Sequence, residues 1–143
     1  MPRPIRIAAA LIEDPEGRLL LVRKRGTVCF MQAGGKIEDG ETPFEALARE
    51  LREELGFAPE PEQARLIGHF SARAANEPGH RVEAELYRIR AANEQFVLGA
   101  ELDEMLWVTP AAARALPLAP LTRDCVLPLA VSNSTPAPFD QKW

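Results

Sequence analysis

The chain has 143 residues, of which 46% are hydrophobic and 27% are charged, and these values are typical of one globular domain with a buried core. The net charge of −4 excludes a general attraction to nucleic acid or to an anionic membrane, and no apolar run approaches the roughly 18 residues of a membrane span. We therefore expect neither a nucleic-acid polymer nor a membrane as a partner. The two cysteines, Cys29 and Cys125, lack a zinc-ligand spacing, which favours free thiols in a reducing cytoplasm.

The first part of the chain predicts two strands and a basic loop. Residues 5–13 and 19–22 are apolar runs on either side of an Asp-Pro-Glu-Gly turn, so we expect them to pair as a hairpin. A basic loop follows over residues 23–26. Residues 28–32 predict a short strand that leads into a turn at a Gly-Gly pair.

A helix is predicted from Pro43 to Leu55. Thr42 and Glu45 have the spacing of a capping box, and proline suits the first helical position. Gly56 stands where helices commonly end in a left-handed turn. The apolar residues of this segment fall on one face and its glutamates on another, which predicts an amphipathic helix.

The glutamates of this helix, Glu50, Glu53 and Glu54, lie within four residues of one another and so share one face. Like charges at this spacing repel by roughly 0.2–0.5 kcal/mol per pair. A hard cation such as Mg²⁺ or Mn²⁺ would relieve the repulsion, because such ions prefer carboxylate oxygens. The alternative is a solvated acidic face whose charge is partly offset by Arg49 and Arg52.

The second half of the chain predicts three strands followed by two short helices. The second of these helices is expected to end near Pro128, because proline interrupts helical hydrogen bonding. Strands on both sides of an amphipathic helix predict an α/β or α+β fold with a mixed sheet. We expect the domain to cover residues 1–131 and to be followed by a loosely ordered polar tail over residues 132–143. The predicted elements are strands 65–72, 81–90 and 105–108 and helices 111–116 and 121–127.

The segment from Gly35 to Phe57 resembles the Nudix box of the Nudix hydrolases. The matching positions are Gly35, Glu41, Arg49-Glu50, Leu51, Glu53-Glu54, Gly56 and Phe57. The surrounding residues look like the MutT branch, except that Ala33 replaces a proline that many members have before the glycine pair. The resemblance implies the α/β/α sandwich of the Nudix fold, with a mixed sheet, over about residues 4–130.

The resemblance also implies an enzyme that hydrolyses a nucleoside diphosphate linked to another moiety, with a nucleoside triphosphate converted to the monophosphate and pyrophosphate as the leading reaction. Mg²⁺, with Mn²⁺ as an alternative, would be held by Glu50, Glu53, Glu54 and the carbonyl of Gly34. Arg49 would fix a ligand glutamate in position, since a guanidinium can fork a carboxylate.

Four residues are candidate contacts for the substrate. Lys24 and Arg23 follow a strand and would meet phosphate oxygens that the metal does not bind; the alternative is a solvated basic loop. Gly35 lets the backbone come close to the substrate, and Lys36 follows it directly.

The general base is expected outside the helix. MutT-type enzymes use a glutamate on a loop before a strand that carries a tryptophan, and Glu101 stands in this position relative to Trp107. Asp103 and Glu104 are nearby alternatives, and a glutamate of the box, such as Glu50 or Glu53, is a further one.

Two other functions fit the same pattern. One is hydrolysis of ADP-ribose or another sugar nucleotide, although members of that branch carry a proline beyond the box where this chain has Ala72 and Arg73. The other is a non-catalytic nucleotide-binding regulatory domain, although such domains usually lose glutamates that this chain keeps. The expected partner is a small nucleotide, and a homodimer is one open alternative for the assembly.

Overall fold

A computed structural model describes residues 3–132, so the predicted tail over 132–143 lies almost entirely outside the described residues. None of the helices within this range is long and apolar enough to cross a membrane. The strands are β1 (Ile5–Glu13), β2 (Leu19–Lys24), β3 (Phe30–Met31), β4 (Ala33–Lys36), β5 (Ala64–Arg73), β6 (Arg81–Arg90) and β7 (Leu102–Val108), and the helices are α1 (Pro43–Leu55), α2 (Pro110–Ala113) and α3 (Leu127–Ser132).

The strands form one mixed sheet, as predicted. Its centre is a parallel pair, because β1 runs beside β6 along its whole length, and the other pairings are antiparallel. Strand β4 pairs with the middle of β1, over Ile7–Ala10. Strand β2 meets β1 only at Glu13 and Leu19 and otherwise pairs with β7 and β3. The predicted hairpin of β1 and β2 is therefore present only at its turn end.

Helices cover both faces of this sheet, which confirms a sandwich of helices around a mixed sheet. Alternate residues of β1 point to opposite faces, as expected of a strand, and each set joins a separate buried cluster. Towards α1 the cluster includes Ala8, Ala10, Ile12, Leu47, Leu51 and Leu55. Towards the C-terminal helices it includes Ala9, Leu11, Val126, Leu127 and Ala130.

Helix α1 has the predicted ends. The hydroxyl of Thr42 accepts a hydrogen bond from the backbone N–H of Glu45, and the carboxylate of Glu45 accepts one from the N–H of Thr42. Gly56 adopts φ 68° and ends the helix in a left-handed conformation. Both ends of the helix that carries the acidic face are thus fixed by local hydrogen bonds.

Several boundaries differ from the prediction. The prediction that the helical segment ends near Pro128 was wrong, because a π-helical stretch, Thr122–Val126, continues directly into α3. Pro128 is the second residue of α3 and directly follows the junction with the π-helical stretch. The Gly-Gly pair lies in β4 and not in a turn, because β4 pairs with β1. Strand β7 begins earlier than predicted, since Leu102 pairs with Lys24 beyond a bulge.

Candidate active site

The two glycines of β4 bring the backbone close to β1 on one side and to α1 on the other. Gly34 has φ 140°, a conformation that L side chains rarely adopt, and a Cβ there would overlap the backbone of Ala8. A Cβ on Gly35 would overlap the carboxylate of Glu50. Position 34 therefore requires glycine, whereas a side chain at position 35 would displace the Glu50 carboxylate, which lies directly against the β4 backbone.

Glu54 is the buried member of the acidic face, with 7% of its surface exposed. Burial raises the pKa of its carboxyl group to about 7, the hydrogen bond from the Gly34 N–H opposes this rise, and the charge of Glu50 adds to it. Smaller electrostatic effects come from Lys24, which lowers this pKa, and from Glu101, which raises it. The latter two side chains therefore lie within electrostatic range of the acidic face.

The guanidinium of Arg49 connects three parts of the site. It forks the carboxylate of Glu41, with Nε–Oε2 and Nη2–Oε1 distances of 2.7 and 3.0 Å, and this contact, as the main cause, lowers the pKa of Glu41 to about 2. Nη1 donates to Oε2 of Glu50 at 2.9 Å, and Nη2 donates to the carbonyl of Lys36. Arg49 therefore holds Glu50 beside β4, in the arrangement expected of a positioning residue.

The three helix glutamates are not drawn together into a closed site. Within residues 3–132, no three His, Cys, Asp or Glu side chains form a group that could hold a metal ion in this conformation. The reason is that Glu50 contacts Arg49, Glu54 contacts Gly34, and Glu53 is mostly exposed.

The chemistry of the donors nevertheless fits a hard divalent cation. Carboxylate oxygens are the ligands that Mg²⁺ and Mn²⁺ prefer. Glu50 and Glu54 both lie against β4, and burial next to another carboxylate is unfavourable for the charged form of Glu54. A cation between these side chains would remove that unfavourable charge. The carboxylates of Glu50, Glu53 and Glu54 are therefore the donors whose chemistry fits a divalent cation.

A cavity of about 130 Å³ adjoins the glycine strand. Of the residues predicted to contact substrate, Lys24, Gly35 and Lys36 line it, together with the predicted metal ligand Gly34. The ammonium group of Lys36 lies 3.4 Å from the carboxylate of Glu77, on the loop between β5 and β6. Two lysines and a glycine backbone are thus placed around one opening, next to the acidic face.

The remaining predicted contact, Arg23, is not among the residues lining this cavity. Its guanidinium donates to Oε1 of Glu104 and to the carbonyl of Thr27, and lies 3.5 Å from Asp103. Arg23 therefore joins β2 to β7, and Glu104, one of the alternative bases, is held in this ion pair.

Glu101 is placed by a loop that packs on the end of α1. The N–H groups of Val97 and Gly99 donate to the carbonyls of Leu55 and Glu54, which satisfies helix-end acceptors that have no partner within α1. The carbonyl of Glu101 then accepts from the N–H of Arg25 at 2.9 Å. This loop brings the Glu101 region to the same end of the molecule as the acidic face.

A larger cavity, about 770 Å³, lies elsewhere and includes no carboxylate among its described lining residues. It is bounded mainly by the C-terminal segment and by Cys29. Because it holds none of the residues predicted to bind the substrate or the metal, whereas the smaller cavity holds Lys24, Gly34, Gly35 and Lys36, we assign the site to the smaller cavity.

Sequence reasoning missed several residues that line the smaller cavity, among them Gln32, Asn76 and Ala119. They come from a strand junction, a loop and the C-terminal segment, which lie far apart in the chain. Only Gln32 carried a signal: it is a polar residue within an apolar segment that was predicted to be a strand.

Comparison with known proteins identifies the NUDIX domain over residues 3–129. Of the curated relatives, the CTP pyrophosphohydrolase of Escherichia coli is 32% identical, over 81% of this chain and 84% of its own length. An RNA pyrophosphohydrolase of Halorhodospira halophila is 43% identical over 34% of this chain, and an octanoyltransferase of Myxococcus xanthus is 37% identical over 80%. The matched regions cover only 27% and 33% of the length of these last two proteins.

Solved structures agree with the fold. A MutT protein of Methanosarcina mazei superposes with a TM-score of 0.74 at 22% identity, covering 92% of this chain and 96% of its own. A MutT NUDIX hydrolase of Burkholderia pseudomallei superposes with a TM-score of 0.72 at 24% identity, covering 94% of this chain and 100% of its own. These similarities establish the architecture.

Proposed function

Since the chain belongs to the NUDIX family, we propose that it is a Mg²⁺-dependent hydrolase of nucleoside diphosphates linked to another group, and that it converts a nucleoside triphosphate to the monophosphate and pyrophosphate. Members of the family generally use divalent metal ions such as Mg²⁺. The similarity to the CTP pyrophosphohydrolase supports a triphosphate substrate, because that match covers most of both chains.

One observation carries the proposal: a carboxylate face and a lysine-lined cavity meet at the same pair of glycines. Gly34 contacts Glu54 and Gly35 contacts Glu50, while both glycines line the cavity beside Lys24 and Lys36. A phosphate chain in this cavity would have cationic donors on one side and cation-binding oxygens on the other. This is the combination that a phosphoanhydride requires for attack by water.

In the proposed reaction, a water oxygen forms a bond to phosphorus and a phosphoanhydride P–O bond breaks. Mg²⁺ bound by Glu50, Glu53 and Glu54 would supply positive charge to the phosphate oxygens. Lys24 and Lys36 bind oxygens of the phosphate chain, and Arg49 keeps Glu50 in place through its contact with Glu41. Glu101 orients the attacking water and accepts its proton.

A substrate panel tests this function. The purified protein is incubated with the ribonucleoside and deoxyribonucleoside triphosphates, 8-oxo-dGTP, ADP-ribose and UDP-glucose, each with Mg²⁺ or with EDTA, and products are separated by ion-exchange chromatography. We expect a nucleoside monophosphate and pyrophosphate from at least one triphosphate, with Mg²⁺ only. Release of orthophosphate and a nucleoside diphosphate would contradict the proposed cleavage.

The same panel separates the alternatives. Hydrolysis of ADP-ribose or UDP-glucose with all triphosphates intact would indicate a sugar-nucleotide pyrophosphatase. Binding of a nucleotide without any hydrolysis would indicate a regulatory domain.

A further inference from the structure

Gln32 is a buried amide on the wall of the proposed substrate cavity. It stands between β3 and β4, directly before the strand that carries the two glycines, and only 7% of its surface is exposed. It lines the cavity together with the apolar residues Met31, Ala119 and Leu121. A buried polar side chain in such surroundings needs hydrogen-bond partners for both ends of its amide.

The structure supplies a partner for one end only. The hydroxyl of Thr122, which is fully buried, donates to Oε1 of Gln32 at 2.6 Å. Within residues 3–132, Nε2 of Gln32 makes no hydrogen bond. Every fully buried side-chain nitrogen or oxygen in this range does have a hydrogen-bond partner. Nε2 therefore retains accessible surface, and we infer that its two N–H groups face the cavity that Gln32 lines.

Backbone hydrogen bonds hold this pair in place. The N–H of Phe30 donates to the carbonyl of Pro117, and the N–H of Ala119 donates to the carbonyl of Phe30, at 2.8 and 2.9 Å. These bonds attach the segment before Thr122 to β3. Thr122 is also the first residue of the π-helical stretch, a feature that is frequent at functional sites. The amide of Gln32 is thus oriented before any ligand binds, as a specificity-determining contact requires.

The lining of the cavity combines two kinds of chemistry. Lys24 and Lys36 supply positive charge, whereas Met31, Ala119 and Leu121 supply apolar surface and Gln32 supplies an amide. A ligand that suits this lining carries a phosphate group and a flat, largely apolar ring with a hydrogen-bond acceptor. A nucleoside phosphate whose base bears a carbonyl oxygen has these properties.

We propose that Gln32 determines base specificity by donating from Nε2 to a carbonyl oxygen of the nucleobase, and that Thr122 is the positioning residue that fixes the amide. This rests on the proposed function for the identity of the ligand as a nucleotide. Cytosine, uracil and guanine each carry a carbonyl oxygen, and adenine carries none. Adenine accepts hydrogen bonds only at ring nitrogens, which lie at other positions than a carbonyl oxygen outside the ring, so we expect this site to discriminate against adenine nucleotides.

Calorimetric binding of CMP, UMP, GMP and AMP, with Mg²⁺ present, tests the assignment without requiring turnover. For the parent protein we expect AMP to bind roughly tenfold or more weakly than the best of the other three, the size of effect that an unpaired buried donor produces. Gln32→Leu removes the donor, so affinity for that best nucleotide should fall by a similar factor while affinity for AMP stays nearly constant. Gln32→Glu replaces the donor with an acceptor and should reduce the preference further.

Two more variants separate a specific contact from general damage. Val28→Ala changes an exposed residue outside the cavity lining and should keep the parental preference. Thr122→Val removes the hydroxyl at similar volume and should weaken the preference, with thermal unfolding recorded to confirm that the variant is folded.

The outcomes decide between the inference and the proposed function. A Gln32→Leu protein with the parental preference, a parent that binds AMP as well as the others, or a parent that binds no monophosphate would overturn the inference. If the parent hydrolyses no triphosphate but the binding preference is lost in Gln32→Leu, the base site is upheld and the enzymatic proposal is refuted. Hydrolysis with a preference independent of Gln32 would do the reverse.

Discussion

Glu101 and Glu104 differ in how firmly their side chains are held. Glu104 accepts two hydrogen bonds from Arg23, at 3.1 and 3.2 Å. Glu101 is exposed, and its backbone carbonyl accepts a hydrogen bond from the N–H of Arg25. Within the described part of the chain, its carboxylate makes no hydrogen bond or ion pair. A base has to be free to contact water, whereas a paired carboxylate is already committed. The structure therefore favours Glu101 over Glu104 as the residue to test first.

Glu101→Gln should lower kcat by roughly 10²–10⁴-fold, the usual contribution of a general base. The substitution keeps the shape of the side chain and leaves the helix glutamates unchanged, so Mg²⁺ affinity should be retained. The rate should recover partly at higher pH, where hydroxide replaces the base. Steady-state kinetics and calorimetric Mg²⁺ titration measure these effects.

Glu104→Gln is the matched comparison. A Glu101→Gln enzyme with parental kcat beside a severely impaired Glu104→Gln enzyme would reverse the assignment. Near-normal rates in both would place the base among the glutamates of α1.

At the scale of the element, α1 is fixed at both ends to the loops that complete the site. Its start is fixed by the capping box of Thr42 and Glu45. Its end contacts the loop that leads to Glu101, through the N–H groups of Val97 and Gly99. The helix thereby positions the acidic face relative to the glycine strand and the proposed base. Changes at either end should therefore affect activity as well as stability.

Thr42→Ala should lower the free energy of unfolding by about 1 kcal/mol, because the N–H of Glu45 loses its acceptor. It should also reduce activity, since the loop between β4 and α1 becomes less fixed. Urea denaturation measures the first effect, and Thr42→Ser, which keeps the hydroxyl, is the control. Identical unfolding curves for Thr42→Ala and the parent would show that the capping box contributes nothing.

Gly99→Ala should destabilise the protein by roughly 1–3 kcal/mol, in the range of other substitutions that overfill a packed site. A Cβ at Gly99 would overlap the carbonyl oxygen of Glu53, so the loop has to move away from α1 and would carry Glu101 with it. We expect kcat to fall by more than the loss of folded protein explains. Ala100→Ser, at the exposed neighbouring position, is the control; parental kcat in folded Gly99→Ala would exclude a role for this contact.

At the scale of the whole molecule, local patterns in the sequence predicted the elements but not all of their partners. The bounds of α1, β1 and β6 match the prediction, because capping residues and alternation are local signals. The pairing of β2 with β7 and the position of β4 within the sheet were not predicted, since they depend on contacts between distant segments. Helix continuation through Pro128 depended on a change in helical hydrogen bonding that composition does not reveal.

The candidate site shows the same division. Residues of the recognised motif and its flanks could be named from the sequence, and the structure brings Glu50, Glu54, Gly34, Gly35 and Lys36 together. The wall of the cavity could not be named, because it combines a strand junction with the C-terminal segment. The contact between Gln32 and Thr122 joins residues 90 positions apart, and a single sequence contains no signal for such a pair.

The central claim is that the acidic face of α1 binds the metal ion on which triphosphate hydrolysis depends. Its most direct test is the rate of triphosphate hydrolysis as a function of Mg²⁺ concentration, for the parent, for Glu53→Gln and for Arg52→Gln as an exposed control on the same helix. We predict no hydrolysis in EDTA, saturation with Mg²⁺ in the parent and the control, and a rate lower by orders of magnitude in Glu53→Gln without loss of folding. Hydrolysis that persists in EDTA, or a Glu53→Gln protein with the parental Mg²⁺ dependence and rate, would contradict the claim.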